Sequence, residues 1–152
     1  MKCSLQFPVQ PHVLKYLRFR YGPDFTYTNN ASIAPIIRAV ISDPVHSKAS
    51  AFVTDHFYEI ILTSYYHNRF KVIYSKEKIY QFNVDVDWLF REELYQFMIL
   101  NRNIYGIKYR TSMRDFLKKL GITEDDIKQE TLLKQFGRNY SKKELPYATK
   151  VG

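Results

Sequence analysis

The sequence predicts an α+β fold: a small antiparallel sheet packed on one long central helix, followed by a helical C-terminal subregion. Three observations predict it. Residues 3–9 alternate apolar and polar side chains, and residues 51–73 are rich in β-branched and aromatic types, both marks of strands. From Ile79 to Leu100 apolar residues recur at spacings of three and four without a break, the mark of a long amphipathic helix. From 101 to 140 the pattern divides into short amphipathic pieces separated by glycine and capping residues. The organisation expected is a single domain over 1–140, with sheet and long helix in 1–100, a basic helical subregion in 101–140, and a loosely held tail in 141–152.

Cys3, Leu5, Phe7 and Val9 set the strand face of the first element, and Pro8 confines it to a sheet edge because it has no N–H to donate. Pro11 then suits a first helical turn, Val13, Leu14 and Leu17 form one stripe, and Gly22-Pro23 stops the helix. Asp24 to Asn30 reads as a polar turn leading to Ser32, a cap for a helix carrying Ile33, Ile36, Ile37, Val40 and Ile41. Asp43-Pro44 ends that helix and opens a loop through Ser50. Within 51–73 two antiparallel strands are expected, joined across His67, Asn68 and Arg69.

Ser75 is a favoured N-cap with Glu77 in the first turn, where a negative charge meets the positive end of the helix dipole. The helix that follows should run about 26 residues, or about 39 Å. Asn101 to Gly106 reads as a connector, and Thr111 or Ser112 as the cap of a helix with Met113, Phe116, Leu117 and Leu120 inward and Gly121 as its left-handed stop. Thr123 and Asp126 make a capping-box-like pair that starts a turn of helix. Ile127 falls off the stripe of Leu132 and Leu133, so a break is expected near Lys128, before a last helix using Leu132, Leu133, Phe136 and Tyr140.

Composition narrows the function classes. With a single cysteine, no intramolecular disulfide and no thiolate zinc site can form. No run of 18 apolar residues occurs and the N-terminus has no signal-like core, so a reducing, cytoplasmic setting away from membranes is expected. Residues 1–100 hold eleven basic and nine acidic residues and residues 101–152 hold twelve and six, so the last third carries +6 of the net +8. Such a local excess attracts polyanions, or simply keeps a surface solvated.

The order helix, turn with glycine, helix over 91–140 is what a helix-turn-helix needs. Lys128, Lys134 and Arg138 would lie on the presented helix, with Arg110, Arg114, Lys118 and Lys119 toward phosphates. Glu124, Asp125 and Asp126 stand against this, since three acids at the start of a reading helix repel the duplex unless turned away. Two stretches interleave aromatic and cationic residues, Tyr16 to Tyr21 and Tyr105 to Arg110, the composition that single-stranded nucleic acid uses for stacking and phosphate pairing. Core and rim tyrosine is the simpler account of both.

Catalysis has little support. His12, His46, His56 and His67 show no ligand spacing and read as surface or turn histidines, and no phosphate-cradling glycine loop occurs. Asp85 and Asp87 point to different faces of the long helix, and Asp85 with Glu92 is a weak candidate pair for a metal-dependent nuclease. No catalytic residue, metal or cofactor is expected.

Three strings together carry a resemblance: FPVQPHVLKYLRFRYGPDF (Phe7 to Phe25), FREELYQFMILN (Phe90 to Asn101) and GITEDDIKQETLLKQFGR (Gly121 to Arg138). They resemble small, mostly uncharacterised basic proteins encoded by phages and integrated mobile elements of gut bacteria. The last 50 residues loosely resemble the C-terminal helix-turn-helix of Mor-type phage transcription activators, from which the Glu124 to Asp126 run departs. What the resemblance implies is a phage or mobile-element regulator. The reading is therefore a non-enzymatic DNA-binding protein, DNA before RNA, with a homodimer open. The alternatives are a protein-interaction module that binds a host or virion protein and, third, a nuclease.

Overall fold

The computed structural model of the chain describes residues 2–41, 54–67 and 75–140. In chain order the elements are β1 (Cys3–Pro8), α1 (Pro11–Tyr21), β2 (Asp24–Thr26), α2 (Ala34–Ile41), β3 (Phe57–Leu62), α3 (Ser64–His67), α4 (Lys76–Tyr105), α5 (Tyr109–Leu120) and α6 (Gln129–Asn139). This is the expected α+β class. The chain forms two compact units, Met1–Trp88 and Leu89–Gly152.

In the first unit the sheet order is β1-β3-β2. β1 runs antiparallel to β3, pairing Leu5 with Ile60 and Phe7 with Tyr58, and β1 is an edge strand as its proline requires. Period-two alternation puts Leu5, Phe7, Tyr58, Ile60 and Leu62 in the core, while Gln6 donates to Glu59 across the outer face. β2 is an addition. The segment read as a polar turn supplies three residues paired parallel to β3, which makes the sheet mixed.

Other elements also depart from expectation. Tyr65 and Tyr66 belong to the short helix α3 instead of continuing a strand, and the second arm of the expected hairpin lies outside the described residues. The loop expected over 43–50 and the tail from 141 lie outside them too. Ser32 does not cap α2, which begins at Ala34; its hydroxyl lies 3.2 Å from that of Tyr21.

α4 is the element that periodicity read best. Ser75 Oγ accepts from the Lys78 backbone N–H at 3.2 Å, as an N-cap should. The helix spans 30 residues, through the segment expected as a connector, and stops at Gly106, whose φ of 66° is left-handed. In the first unit its residues Ile79, Phe82 and Val86 are buried, and Phe82 meets Phe7 edge to face at 5.1 Å.

Asn83 joins this stripe as a buried polar residue with full employment. Its Oδ1 accepts from the Gln10 N–H at 2.9 Å, and its Nδ2 donates to the carbonyls of Pro8 and Ile79. The joint between β1 and α1 is thereby tied to α4. His12, 6% exposed, adds a second tie, its Nε2 lying 2.6 Å from Asp87 Oδ1. This corrects the reading of His12 as a surface or turn residue: it sits in the first turn of α1 on the buried side.

Two predictions follow from these contacts. Asn83→Leu strands the Gln10 N–H and the Pro8 carbonyl without water, so urea denaturation should show a loss of about 2–4 kcal/mol, against about 1 kcal/mol for an exposed control such as Gln81→Leu. Burial pushes the Tyr58 phenol well above its ordinary value, with Asp24 and Tyr21 adding to the shift and Arg18 opposing it, while its hydroxyl donates to the Gly22 carbonyl. The unfolded phenol ionises near pH 10 and the folded one later, so the stability from the protonated form is complete below about pH 10 and is lost as pH rises toward the folded value. Tyr58→Phe should cost about 1 kcal/mol at neutral pH and flatten the fall of stability above about pH 10, measured by denaturation at a series of pH values.

Candidate nucleic-acid interface

The second unit is built on the C-terminal half of α4. Phe90, Leu94, Tyr95, Met98 and Ile99 are buried there. α5 brings Met113, Phe116, Leu117 and Leu120 inward, and α6 brings Leu132 and Phe136. Rings connect the three helices: Phe116 lies 5.4 Å from Phe97, and Phe136 lies 5.4 Å from Tyr95 and 4.8 Å from Tyr109. The Tyr95 hydroxyl lies 3.0 Å from the Leu132 carbonyl and 2.7 Å from Gln135 Oε1, which also accepts from Arg91 at 2.7 Å. These contacts fix which sides of α5 and α6 remain outside.

α5 starts at Tyr109, earlier than the Thr111 or Ser112 cap expected, with Lys108 at the N-cap position and no side-chain cap. Ser112 is instead buried, in a hydrogen bond at 3.2 Å from Asn101 Nδ2. At the other end the expected stop is present. Gly121 is left-handed, its N–H reaches the Lys118 carbonyl, and the N–H of buried Ile122 reaches that of Leu117, the paired bonds of a Schellman cap.

The turn from Gly121 to Lys128 is eight residues long, against about three or four in a helix-turn-helix. Within it, Asp126 accepts from the Thr123 N–H at 2.9 Å, the returning half of the capping box, but the single turn does not propagate. Lys128 is extended, with φ −76° and ψ 127°, at the position of the expected break, and α6 begins at Gln129, whose N–H points to Glu124 Oε1 at 3.4 Å. Two members of the acidic run thus have local structural partners. They also leave the start of α6, where groove contacts usually begin, negatively charged.

The seven basic residues fall into distinct positions. Arg110, Arg114 and Lys118 are all exposed and stand four residues apart on α5, each about 6 Å further along the axis, drifting from the flank of the buried face at Arg110 to the side away from it at Lys118. Arg110 also pairs with Glu130 at 3.2 Å. Lys119 lies off this stripe, with its ammonium 5.8 Å from the centre of the Phe97 ring. On α6, Lys134 and Arg138 share the exposed side one turn apart, and Lys128 is the N-cap residue.

The aromatic and cationic stretches separate in the structure. In the first, Tyr16 is buried and Tyr21 is engaged with Ser32 and Phe25, leaving Phe19 exposed. In the second, Tyr105 and Tyr109 reach the surface, and the Arg102 guanidinium lies 5.8 Å over the Tyr109 ring. Arg102 was not among the expected contacts, because α4 was read as ending before it.

Asp85 accepts from Gln81 while Asp87 meets His12, so the two acids do face different ways. His56 lies 3.3 Å from Asp55; His46 and the side chain of His67 are outside the described residues. Among the described residues no three of His, Cys, Asp and Glu gather into a group that could hold a metal ion, and no helix is long and apolar enough to cross a membrane. No family model, curated protein or solved structure matches the chain.

The seating of α6 is open to test. Tyr95→Phe removes the hydroxyl from Leu132 and Gln135 but keeps the ring against Phe136 and Tyr140. Thermal or urea denaturation should show a loss of about 1 kcal/mol, whereas Tyr95→Ala should lose about 3–5 kcal/mol through the cavity it leaves.

Proposed function

We propose that this chain is a non-enzymatic nucleic-acid-binding protein, with DNA as its first ligand, that holds phosphates through Arg110, Arg114 and Lys118 on α5 and Lys134 and Arg138 on α6. The observation that carries this is the exposed stripe of three cations at one-turn spacing on α5. Long flexible cations at such intervals suit successive backbone phosphates, and phosphate contacts supply affinity irrespective of base sequence. The eight-residue turn and the acids at the start of α6 favour backbone contact over groove reading. The resemblance to mobile-element proteins supports a regulator of such an element as the setting.

A second reading, a protein-interaction module, draws on Leu100 and Ile104, large apolar side chains exposed on α4. Salt separates the two. With about five phosphates neutralised, the affinity for a duplex should fall with a log–log salt slope of about −4.5, and each of Arg114→Gln, Lys118→Gln and Lys134→Gln should reduce the steepness of that slope by about 1. Fluorescence anisotropy with a labelled duplex measures both. Absence of binding at low salt, or a slope unmoved by all three substitutions, defeats the proposal and leaves the protein-interaction reading.

A further inference from the structure

The elbow between α4 and α5 carries a feature that phosphate binding alone does not use. Tyr105, the last residue of α4, is 72% exposed, more than any other large hydrophobic side chain among the described residues. Beyond it Gly106 turns left-handed, and the chain re-enters helix at Tyr109, which is 37% exposed. Arg102 connects the two rings: it lies three residues before Tyr105 on the same helix, hence beside it, and its guanidinium stands over Tyr109. Tyr109 also packs on Phe136 at 4.8 Å, so it forms a wall, while Tyr105 is the more exposed ring.

The stretch of chain that carries this ring has charge of one sign, although Arg110 within it meets Glu130 of α6. From Leu94 to Arg114 the sequence contains no Asp or Glu, but it contains Arg102, Lys108, Arg110 and Arg114. An aromatic side chain this exposed costs solvent ordering and adds little to the core, and Tyr105 is not needed to end the helix, since Gly106 does that. An aromatic face flanked by cations matches a nucleotide whose base is free to stack and whose phosphates lie on either side. In a duplex, base faces are already covered by their neighbours; in a single strand they are available.

We infer that this elbow is a stacking site for single-stranded nucleic acid, in which Tyr105 receives the face of an unpaired base while Arg102 and Lys108 hold the adjoining phosphates. The inference rests on the nucleic-acid-binding reading and adds to it a preference for unpaired strands. It assigns roles that composition left unassigned: Tyr105 contributes base contact, Tyr109 the supporting wall, and Arg102 charge on both.

The test uses the full chain and three labelled probes of about 12 units, an oligothymidylate, an oligouridylate and a mixed-sequence duplex, followed by fluorescence anisotropy at several salt concentrations. Tyr105→Leu keeps an apolar side chain at an exposed site but removes the ring. The expected result is a loss of about tenfold or more on at least one single strand, with the salt slope unchanged because no phosphate contact is lost, no comparable loss on duplex, and recovery in Tyr105→Phe. Which single strand loses affinity distinguishes DNA from RNA as the ligand. If Tyr105→Leu binds both single strands like the unaltered chain, or weakens duplex to the same degree, the stacking site is overturned while phosphate binding stands. If the unaltered chain binds none of the three probes at low salt, the parent reading falls and this inference falls with it.

Discussion

The apolar stripe of α4 is the constraint on which the rest of the fold depends. A 30-residue helix with large apolar residues at three- and four-residue spacing is not stable in water by its own propensity, and its burial has to be supplied by partners along its length. The first unit supplies them up to Val86, through the sheet residue Phe7 and the ties of Asn83 and Asp87. From Phe90 onward α5 and α6 do so. The change of partner is written in the residues themselves. Before Trp88 the buried apolar positions are Ile79, Phe82 and Val86, joined by the polar Asn83; after it, adjacent apolar pairs such as Leu94 with Tyr95 and Met98 with Ile99 are buried, as a helix packed on two partners requires.

That same grip determines where the surface charge can lie. Since Met113, Phe116, Leu117 and Leu120 must face α4, Arg110, Arg114 and Lys118 are left on the outer side of α5. Lys118 and Lys119, in the last turn, complement the helix dipole and need no function to explain them. Arg110 is different. It stands in the first turn, where a cation opposes the dipole by about 0.3–1 kcal/mol, in a helix that has neither an acidic residue in that turn nor a side-chain cap. Glu130 offsets part of this through an exposed pair, the kind that contributes little in water.

Much of this architecture was legible in the sequence, and where it was not, the reason is physical. α4 was readable because its period persists over many turns and Ser75 caps it; Gly121 was readable because a left-handed stop favours glycine. β2 was not, since three residues are too few to show a period and Asp24, Phe25 and Thr26 are ordered by the parallel partner they find on β3. The start of α5 was misplaced because Thr111 and Ser112 are good caps in isolation, whereas burying Ser112 against Asn101 overrides that preference. The pairing of His12 with Asp87 joins residues 75 positions apart, and no local pattern announces a contact of that kind. Of the site, the basic residues were legible as a list, but not their division into a stripe on α5, a pair on α6 and a side chain resting on Phe97.

The division matters for how a polyanion could approach. Charge is unevenly placed around the α5–α6 pair: Glu124, Asp126 and Glu130 gather at the start of α6, whereas the elbow before α5 has cations and no acid in its own sequence, and the two meet where Glu130 pairs with Arg110. A strand entering α6 first, as a reading helix would require, meets like charge at close range, where repulsion is strongest. A strand crossing α5 meets Arg110, Arg114 and Lys118 in turn, with Glu130 standing 3.2 Å from the first of them and the next two one and two turns beyond it. On the proposed function, the carboxylates of Glu124 and Asp126, which close the turn before α6, disfavour entry along α6 and leave the cations of α5, Arg114 and Lys118 above all, as the contact a nucleic acid would make.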